Sequence, residues 1–361
     1  MKKFPFQKPS PSSTLSTLST PSTFSTPSTF STPSTFSTFP TLSIIIISYN
    51  TADLTKNCLD SLLKDQGLDF SLSTPRPSSP NDQIPTEIII VDNASTDASL
   101  KKIKEFQKSP PIALRLIANQ KNQGFARANN QAMKQARGQY FLLLNSDTLI
   151  LSSSVSQALR WLSTHPEVGL CTVKLLNKDK TVQPTGGHFP TLLNTFTWAL
   201  RLDDLPGVNH LVPPLHPHPP HFYLKEKFYL QSHPQDWITG AFMLLRRPVW
   251  EETDGFNESF FMYAEELEWC YRIAQKGFGI WFLSDPQIIH LGGQSFPNQK
   301  DQIIKRYQGL FHFFRLYYPP LTQKLVKILF VINALTQTIF NTLFKRNLKL
   351  AKIYAQAAFS L

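Results

Sequence analysis

Cysteine is scarce in this chain. Three occur in 361 residues, Cys58, Cys171 and Cys270. They lie far apart inside expected helices and strands. That spacing makes neither a disulfide framework nor a cysteine metal site, and it fits a reducing compartment. Acidic residues are also outnumbered, 25 against 36 Lys and Arg. Such an excess suits an anionic partner, whether nucleotide, nucleic acid or acidic membrane surface, and selects none of them. No apolar stretch follows the basic start Met1-Lys-Lys, where Pro and Ser appear almost at once, so a secretory signal is not expected. The repeat that is present, Ser-Thr-Pro-Ser-Thr-Phe from about residue 19 to 36, has a period of six. Solenoids need repeats several times longer, so residues 1–41 are expected to form a disordered Ser/Thr/Pro-rich tail.

What remains alternates. Short buried-strand patterns at 43–48, 87–91, 112–117 and 140–144 are separated by helical patterns at 52–64, up to 106, and 125–137. Strand, helix, strand in this rhythm predicts an α/β fold with a mainly parallel central sheet and right-handed crossovers. A helix at 153–165 and a strand at 169–174 continue it. Residues 185–236 read as an irregular insert, rich in Pro and His. His216, His218 and His221 fall there, and their spacing fits a solvated loop better than a metal site. A strand at 242–245 follows, then a helix containing Leu267, Cys270, Tyr271 and Ala274 on one face, then strands at 279–283 and 287–290.

The chemistry concentrates where strands end. Tyr49-Asn50 follows the first strand, Asp92-Asn93 the second, Asn119 the third and Asn145-Ser146-Asp147 the fourth. Parallel strands end on one edge, the edge at which open α/β sheets bind ligands. A carboxylate there, Asp147, suits a hard cation such as Mg²⁺ or Mn²⁺ that keeps substrate phosphates among its ligands. Glu265 and Glu266 occupy the first turn of a helix. The helix dipole is expected to hold a carboxylate ionised at that position, as a metal ligand or general base requires. Glu268 and Arg272, spaced i, i+4, are expected to pair. His290 ends a strand and is followed by Leu-Gly-Gly, the start of a loop suited to touching a ligand.

Taken together, Ser43-Ile-Ile-Ile-Ile-Ser-Tyr-Asn50, Ile90-Val-Asp-Asn-Ala-Ser-Thr-Asp97, Asn122-Gln-Gly-Phe-Ala-Arg-Ala-Asn-Asn130, Leu144-Asn-Ser-Asp-Thr148, the 261–272 segment and His290-Leu-Gly-Gly293 resemble family 2 glycosyltransferases, in the branch with many rhamnosyltransferases. The resemblance covers about 42–295. It implies the GT-A fold, a catalytic domain at 42–298, a nucleotide-sugar donor carrying UDP or dTDP, and inversion at the anomeric carbon. By motif position, Tyr49, Asn50, Asp92, Asn93, Arg127, Asn145, Ser146 and His290 would contact the nucleotide sugar. Asp147, the last acid of the family's Asp-x-Asp motif, would hold the divalent cation, Mg²⁺ or Mn²⁺. Asn145 stands where the first Asp is usual, which leaves one carboxylate ligand. Glu266 occupies the usual base position, with Glu265 as the alternative.

The C-terminal region, 299–361, reads as helical. An aromatic-rich helix at 302–318 ends at Pro319-Pro320, and an apolar segment at 321–344 is bordered by Lys324, Lys327, Lys345, Arg346, Lys349 and Lys352. Aromatic and basic residues beside an apolar helix fit peripheral attachment to an anionic leaflet. The competing expectation is a helical pair packed on the catalytic domain. The expected acceptor is a polysaccharide or lipid-linked glycan, and the expected location is the cytoplasm or the inner face of the plasma membrane. A non-catalytic scaffold in a polysaccharide assembly complex is the alternative from another class. A nucleic-acid partner is not expected, because it leaves the acidic strand ends unexplained.

Overall fold

The computed structural model describes residues 40–72, 82–108, 112–205, 207–215, 229–292 and 298–360. Almost all of the Ser/Thr/Pro tail, the three-histidine cluster and positions 293–295 of the His290 loop lie outside the described residues.

The isoleucine run forms β1 (Leu42–Ser48), the centre of the sheet. Its side chains alternate between two cores. Ile44 and Ile46 join Cys58, Leu59 and Leu62 of α1 (Ala52–Leu62), while Ile45 joins Ala128, Ala132 and Met133 of α3 (Phe125–Met133) on the other face. A strand buried on both faces needs an unbroken apolar run, and each such side chain contributes about 1.5–3 kcal/mol relative to exposure. Between α1 and α3 come β2 (Leu68–Asp69), β3 (Ile84–Asp92), α2 (Ser99–Gln107) and β4 (Leu114–Ala118). β1 pairs in parallel with β3 and with β5 (Tyr140–Asn145), and β3 pairs in parallel with β2 and β4. Ser48 lies beside Asp92 and Ile47 beside Asn145, so the polar strand ends share one edge.

The second half of the sheet is mixed. After β6 (Thr148–Ile150), α4 (Ser154–Ser163), β7 (Val168–Leu176) and β8 (Val182–Gln183), the strand β12 (Phe242–Arg246) runs antiparallel between β5 and β7. It is followed by α7 (Arg247–Thr253), with Pro248 in its first turn where a missing N–H costs nothing. Then come α8 (Glu265–Gln275) and β13 (Gly279–His290), which pairs in parallel with β7. The two strands expected at 279–283 and 287–290 are this one strand, with its register shifting between Leu283 and Gln287.

The region expected to be irregular at 185–236 is partly ordered. It holds β9 (Gly186–Gly187), α5 (Leu192–Ala199), α6 (Val208–Leu211) and β10 (His233–Pro234), and β11 (Trp237–Ile238) pairs back onto β9. Thr191 and Asn194 close a reciprocal capping box at the start of α5. At the C-terminus, α9 (Gln299–Tyr317), α10 (Pro320–Leu343) and α11 (Leu348–Ala358) build a third core around Phe313, Phe314 and Phe330, joined by Leu267 of α8. The packed-helix expectation therefore holds for one side of α10.

Candidate active site

A cavity of about 620 Å³ opens at the shared strand edge. Tyr49, Asn93, Asn145, Ser146, Asp147, Glu265, Glu266 and His290 all line it, so the structure brings together eight side chains separated by up to 241 positions. A cavity of this size is ordinary for a small-molecule ligand.

At the strand ends, Asn93 acts as a clamp. Its Nδ2 donates to Asn122 Oδ1 at 2.9 Å, and its Oδ1 accepts from Asn119 Nδ2 and Gln123 N at 3.1 Å each. That fixes the turn preceding α3. Gly124 follows at φ 82, and a Cβ there would lie 2.6 Å from the Phe261 carbonyl oxygen, which accepts a bond from Phe125 N. Only glycine lets the turn approach the 261–264 segment so closely. Asp92 is buried next to Asn93. Its Oδ2 accepts from Ser95 N at 3.2 Å, while Oδ1 is buried with no partner in the chain. An unsatisfied buried carboxylate oxygen costs free energy until a ligand group donates to it.

Asp147 and His290 meet across the edge. His290 Nδ1 lies 2.6 Å from Gln183 Oε1, and the Gln183 amide nitrogen donates to Asn177 Oδ1, which identifies its oxygen. This network assigns the imidazole proton to Nδ1. Nε2 lies 3.3 Å from Asp147 Oδ1 and 3.4 Å from Asn145 Nδ2. A shared proton or a cation between the ring nitrogen and the carboxylate favours this approach. One hard oxygen and one imidazole nitrogen, with a hydrogen-bonded carboxamide behind the imidazole, fit a divalent cation that takes its other ligands from water or phosphate. Among the described residues no cluster of three or more His, Cys, Asp or Glu makes a self-sufficient metal site.

The Glu pair is held under strain. Tyr263 and Ala264 have φ of 71° and 69°, two consecutive left-handed residues immediately before α8, with no side-chain cap. Each non-glycine residue in that region costs about 1–2 kcal/mol, and such strain gathers at functional sites. Gly309 of α9 holds the link down, since a Cβ there would lie 2.4 Å from the Tyr263 carbonyl oxygen. The expectation that the dipole keeps these carboxylates ionised is overturned. Burial pushes both carboxyls above the usual range, Glu265 well above it because Glu266 also lies beside it. Half a unit charge at a helix end does not offset the loss of hydration. The Arg306 guanidinium pulls Glu266 partly back. The neighbouring Glu268 pairs with Arg272 at 2.9 Å as expected, and also accepts from the Tyr317 hydroxyl at 2.6 Å.

Three expected donor contacts fall outside the cavity lining. Asn50, at φ 53, accepts from Thr96 N at 2.7 Å and ties two strand-end loops together. Arg127 turns to the exposed flank and donates to Glu258 at 2.9 Å, outside the cavity lining. Asp92 sits one residue from the lining. Ser146 lines the cavity, but its hydroxyl bonds to Thr51 at 3.1 Å. Conversely, Arg306 was not foreseen. It is the one Lys or Arg among the lining residues, and its guanidinium sits 5.2 Å from the Tyr263 ring centre. Its signal was faint: a cation on the face of α9 that also carries Ile303, Tyr307 and Leu310, all lining residues.

With this geometry in place, comparison with known proteins is informative. Residues 43–251, more than half of the chain, match the family model for glycosyl transferase family 2. An N-acetylglucosaminyl-diphospho-decaprenol L-rhamnosyltransferase of Mycobacterium tuberculosis is 22% identical over 262 residues, covering 69% of this chain and 75% of that protein. The O-antigen biosynthesis protein RfbC of Myxococcus xanthus is 26% identical over 256 residues, covering 70% of this chain and 17% of its own length. Among solved structures, the mannosyltransferase PcManGT from Pyrobaculum calidifontis, in complex with GDP-Man and Mn²⁺, aligns at TM-score 0.51 and 18% identity, covering 89% of this chain and 76% of that one. GalNAc-T7 with UDP, GalNAc and Mn²⁺ aligns at TM-score 0.50 and 16% identity, covering 81% of this chain and 54% of that one. At such identities the likeness speaks for the fold, which is GT-A. The chain belongs to glycosyl transferase family 2 and is a nucleotide-sugar-dependent glycosyltransferase.

Proposed function

We propose that the chain is an inverting transferase that moves a hexosyl or deoxyhexosyl group, rhamnose foremost, from a UDP- or dTDP-linked donor to a polysaccharide or lipid-linked glycan at the inner face of the plasma membrane. The sugar and acceptor are suggested by the rhamnosyltransferase relative. The observation that carries the reading is that Asp147 with His290 and Glu265 with Glu266 face one cavity. The catalytic unit is 42–298, and Asp92 and Tyr49 take the nucleoside.

In this reading Glu266 accepts the proton of the acceptor hydroxyl as its oxygen attacks the anomeric carbon. The bond from that carbon to the diphosphate oxygen breaks in the same displacement, and the electron pair leaves with the nucleoside diphosphate. No covalent enzyme intermediate forms, so the configuration inverts. Burial keeps the proton affinity of Glu266 high. Asp147 and His290 would hold Mg²⁺ or Mn²⁺, which when bound neutralises charge on the departing diphosphate. In support, Arg306 is the one Lys or Arg in the lining among the described residues.

The test is calorimetric titration of the full chain with UDP and dTDP, with and without Mn²⁺. Binding that requires Mn²⁺ and is lost in Asp147→Ala is the expected outcome. A folded sample that binds no nucleoside diphosphate overturns the reading and favours a scaffold.

A further inference from the structure

The helix behind the strand edge is polar where a core helix is normally apolar. A helix packed on a sheet buries an apolar stripe. The buried face of α1 begins instead with Thr51, at its N-cap, and continues through Thr55 and Cys58, at i, i+4 and i+7, before it closes with Leu59 and Leu62. Thr51 makes no capping bond, although a threonine at this position normally accepts from the helix's own amides. Its hydroxyl lies 3.1 Å from that of Ser146, across the edge of the sheet.

The rest of the stripe makes contacts of the same kind. Thr51, Thr55 and Ser48 of β1 form a ring of buried hydroxyls with separations of 3.1, 3.0 and 3.2 Å. Cys58 Sγ lies 3.4 Å from Thr148 Oγ1, which donates to the Asn145 carbonyl at 2.8 Å. Ser61, beside the stripe, accepts from Ile150 N at 2.9 Å. The segment 145–150 is thus held by α1 along its length. None of Thr51, Thr55, Cys58, Ser61 and Thr148 lines the cavity, so whatever they do for a ligand passes through the segment they hold. Burying such groups costs free energy unless each finds a partner, and the paired network then fixes one arrangement.

That segment carries Asp147, whose carbonyl accepts from Leu291 N at 2.9 Å on the other side. Asp147 is the one carboxylate of Asn145-Ser146-Asp147, so a shift of the loop has no second carboxylate to absorb it. We propose that Thr51, Thr55 and Cys58 are positioning residues: the polar stripe along α1 fixes the 145–150 segment so that the Asp147 carboxylate meets a divalent cation in one geometry. This rests on the transferase reading above and gives α1 a part in it. Groups that orient a metal ligand from behind commonly matter to metal affinity as much as they do here to the loop.

The experiment measures UDP affinity of the full chain by calorimetry, at saturating Mn²⁺ and without Mn²⁺. The ratio of the two is the metal's contribution. Thr51→Val keeps the shape of the side chain and removes its hydroxyl. It should lower the ratio by about 10-fold and leave the metal-free affinity close to that of the wild-type chain. Thr51→Ser returns a hydroxyl and should restore the ratio. A purely structural role would lower the melting temperature of Thr51→Val and leave the ratio alone. Thr148→Val cuts the same hold at Asn145 and should act in the same direction, which supplies the test if Thr51→Val does not fold. A ratio unchanged in the folded variants, or one that Thr51→Ser fails to restore, overturns the positioning role while the donor reading stands. A wild-type chain whose UDP binding gains nothing from Mn²⁺ would overturn the cation reading of Asp147, and the positioning role with it.

Discussion

Glu266 and Arg306 set the pH behaviour at the level of single residues. Burial holds the Glu266 carboxyl above the usual carboxylate range, so the acidic limb of the rate profile should lie above that range, with activity gained as the base loses its proton. Glu266→Gln should lower transfer by about 10²–10⁴-fold while nucleotide binding remains. Arg306→Leu removes the charge that favours ionised Glu266, so the acidic limb should move to higher pH. An unmoved limb would deny Arg306 that role. Glu265 gives a separate stability signature. A carboxyl whose pKa is raised by folding holds its proton more tightly in the native state, so its contribution is present at low pH and is lost as pH climbs through the folded value. Glu265→Gln cannot ionise. Its melting temperature should therefore gain on that of the wild-type chain as pH rises above the ordinary carboxylate range, read by thermal denaturation. Residue identity alone did not show where Asn50 and Arg127 would turn: their partners Thr96 and Glu258 lie 46 and 131 positions away and are brought near only by the fold.

Among elements, the junction of α8 with α9 decides whether the site exists. Gly309 lets α9 lie against the left-handed link Tyr263-Ala264, and no flexible side chain is there to yield, because the nearest atom is the Tyr263 carbonyl oxygen. Gly309→Ala should cost about 1–3 kcal/mol in chemical denaturation. It should also slow transfer more than a distant variant of equal stability, since the displaced link carries the Glu pair. Apart from the two-residue β2, the strands and helices up to α3 were readable because their apolar periods are clean and their polar ends abrupt. Helix α5 was not, because its region is crowded with Pro and its stability comes from the capping box and from packing on α10 and α9 rather than from an amphipathic pattern. The dipole argument for Glu265 and Glu266 located them correctly in the first turn of α8 but gave the wrong sign for their ionisation, because burial is a property of the packed chain.

For the whole molecule, the question is where the enzyme sits. Among the described residues, one helix, Pro320–Leu343, is long and apolar enough to cross a membrane by length and composition. Its inner face is occupied by Val326, Phe330 and Ala334, which belong to the third core. Its outer face exposes Leu321, Leu325, Ile328, Leu335, Ile339 and Leu343, with exposed Lys324, Lys327, Lys345, Arg346, Lys349 and Lys352 nearby. A helix packed on one side and apolar on the other suits lying on an anionic surface. The full chain should sediment with vesicles of three parts phosphatidylcholine to one part phosphatidylglycerol, and less with phosphatidylcholine alone. Changing Leu325, Ile328 and Ile339 together to Ser should weaken binding by about 10- to 100-fold. Removal of α10 and α11 is a poorer probe, because it would strip Phe313 and Phe314 of their cover. Equal sedimentation of the triple variant would show that this face does not meet the bilayer.

Locally coded features were determined by sequence: the parallel half of the sheet, the edge at which its strands end, Asp147 on that edge and the Glu pair at the start of a helix. Each depends on a period or a turn within a few residues, and elementary sterics and burial are enough to read it. Tertiary structure alone decided the rest. It turned β12 antiparallel, set His290 against Asp147, raised the Glu carboxyls by dehydration, sent Arg127 away from the cavity and brought Arg306 into it. Those outcomes depend on contacts between residues far apart in the chain, whose free energies are fixed only when the helices and the sheet are packed together.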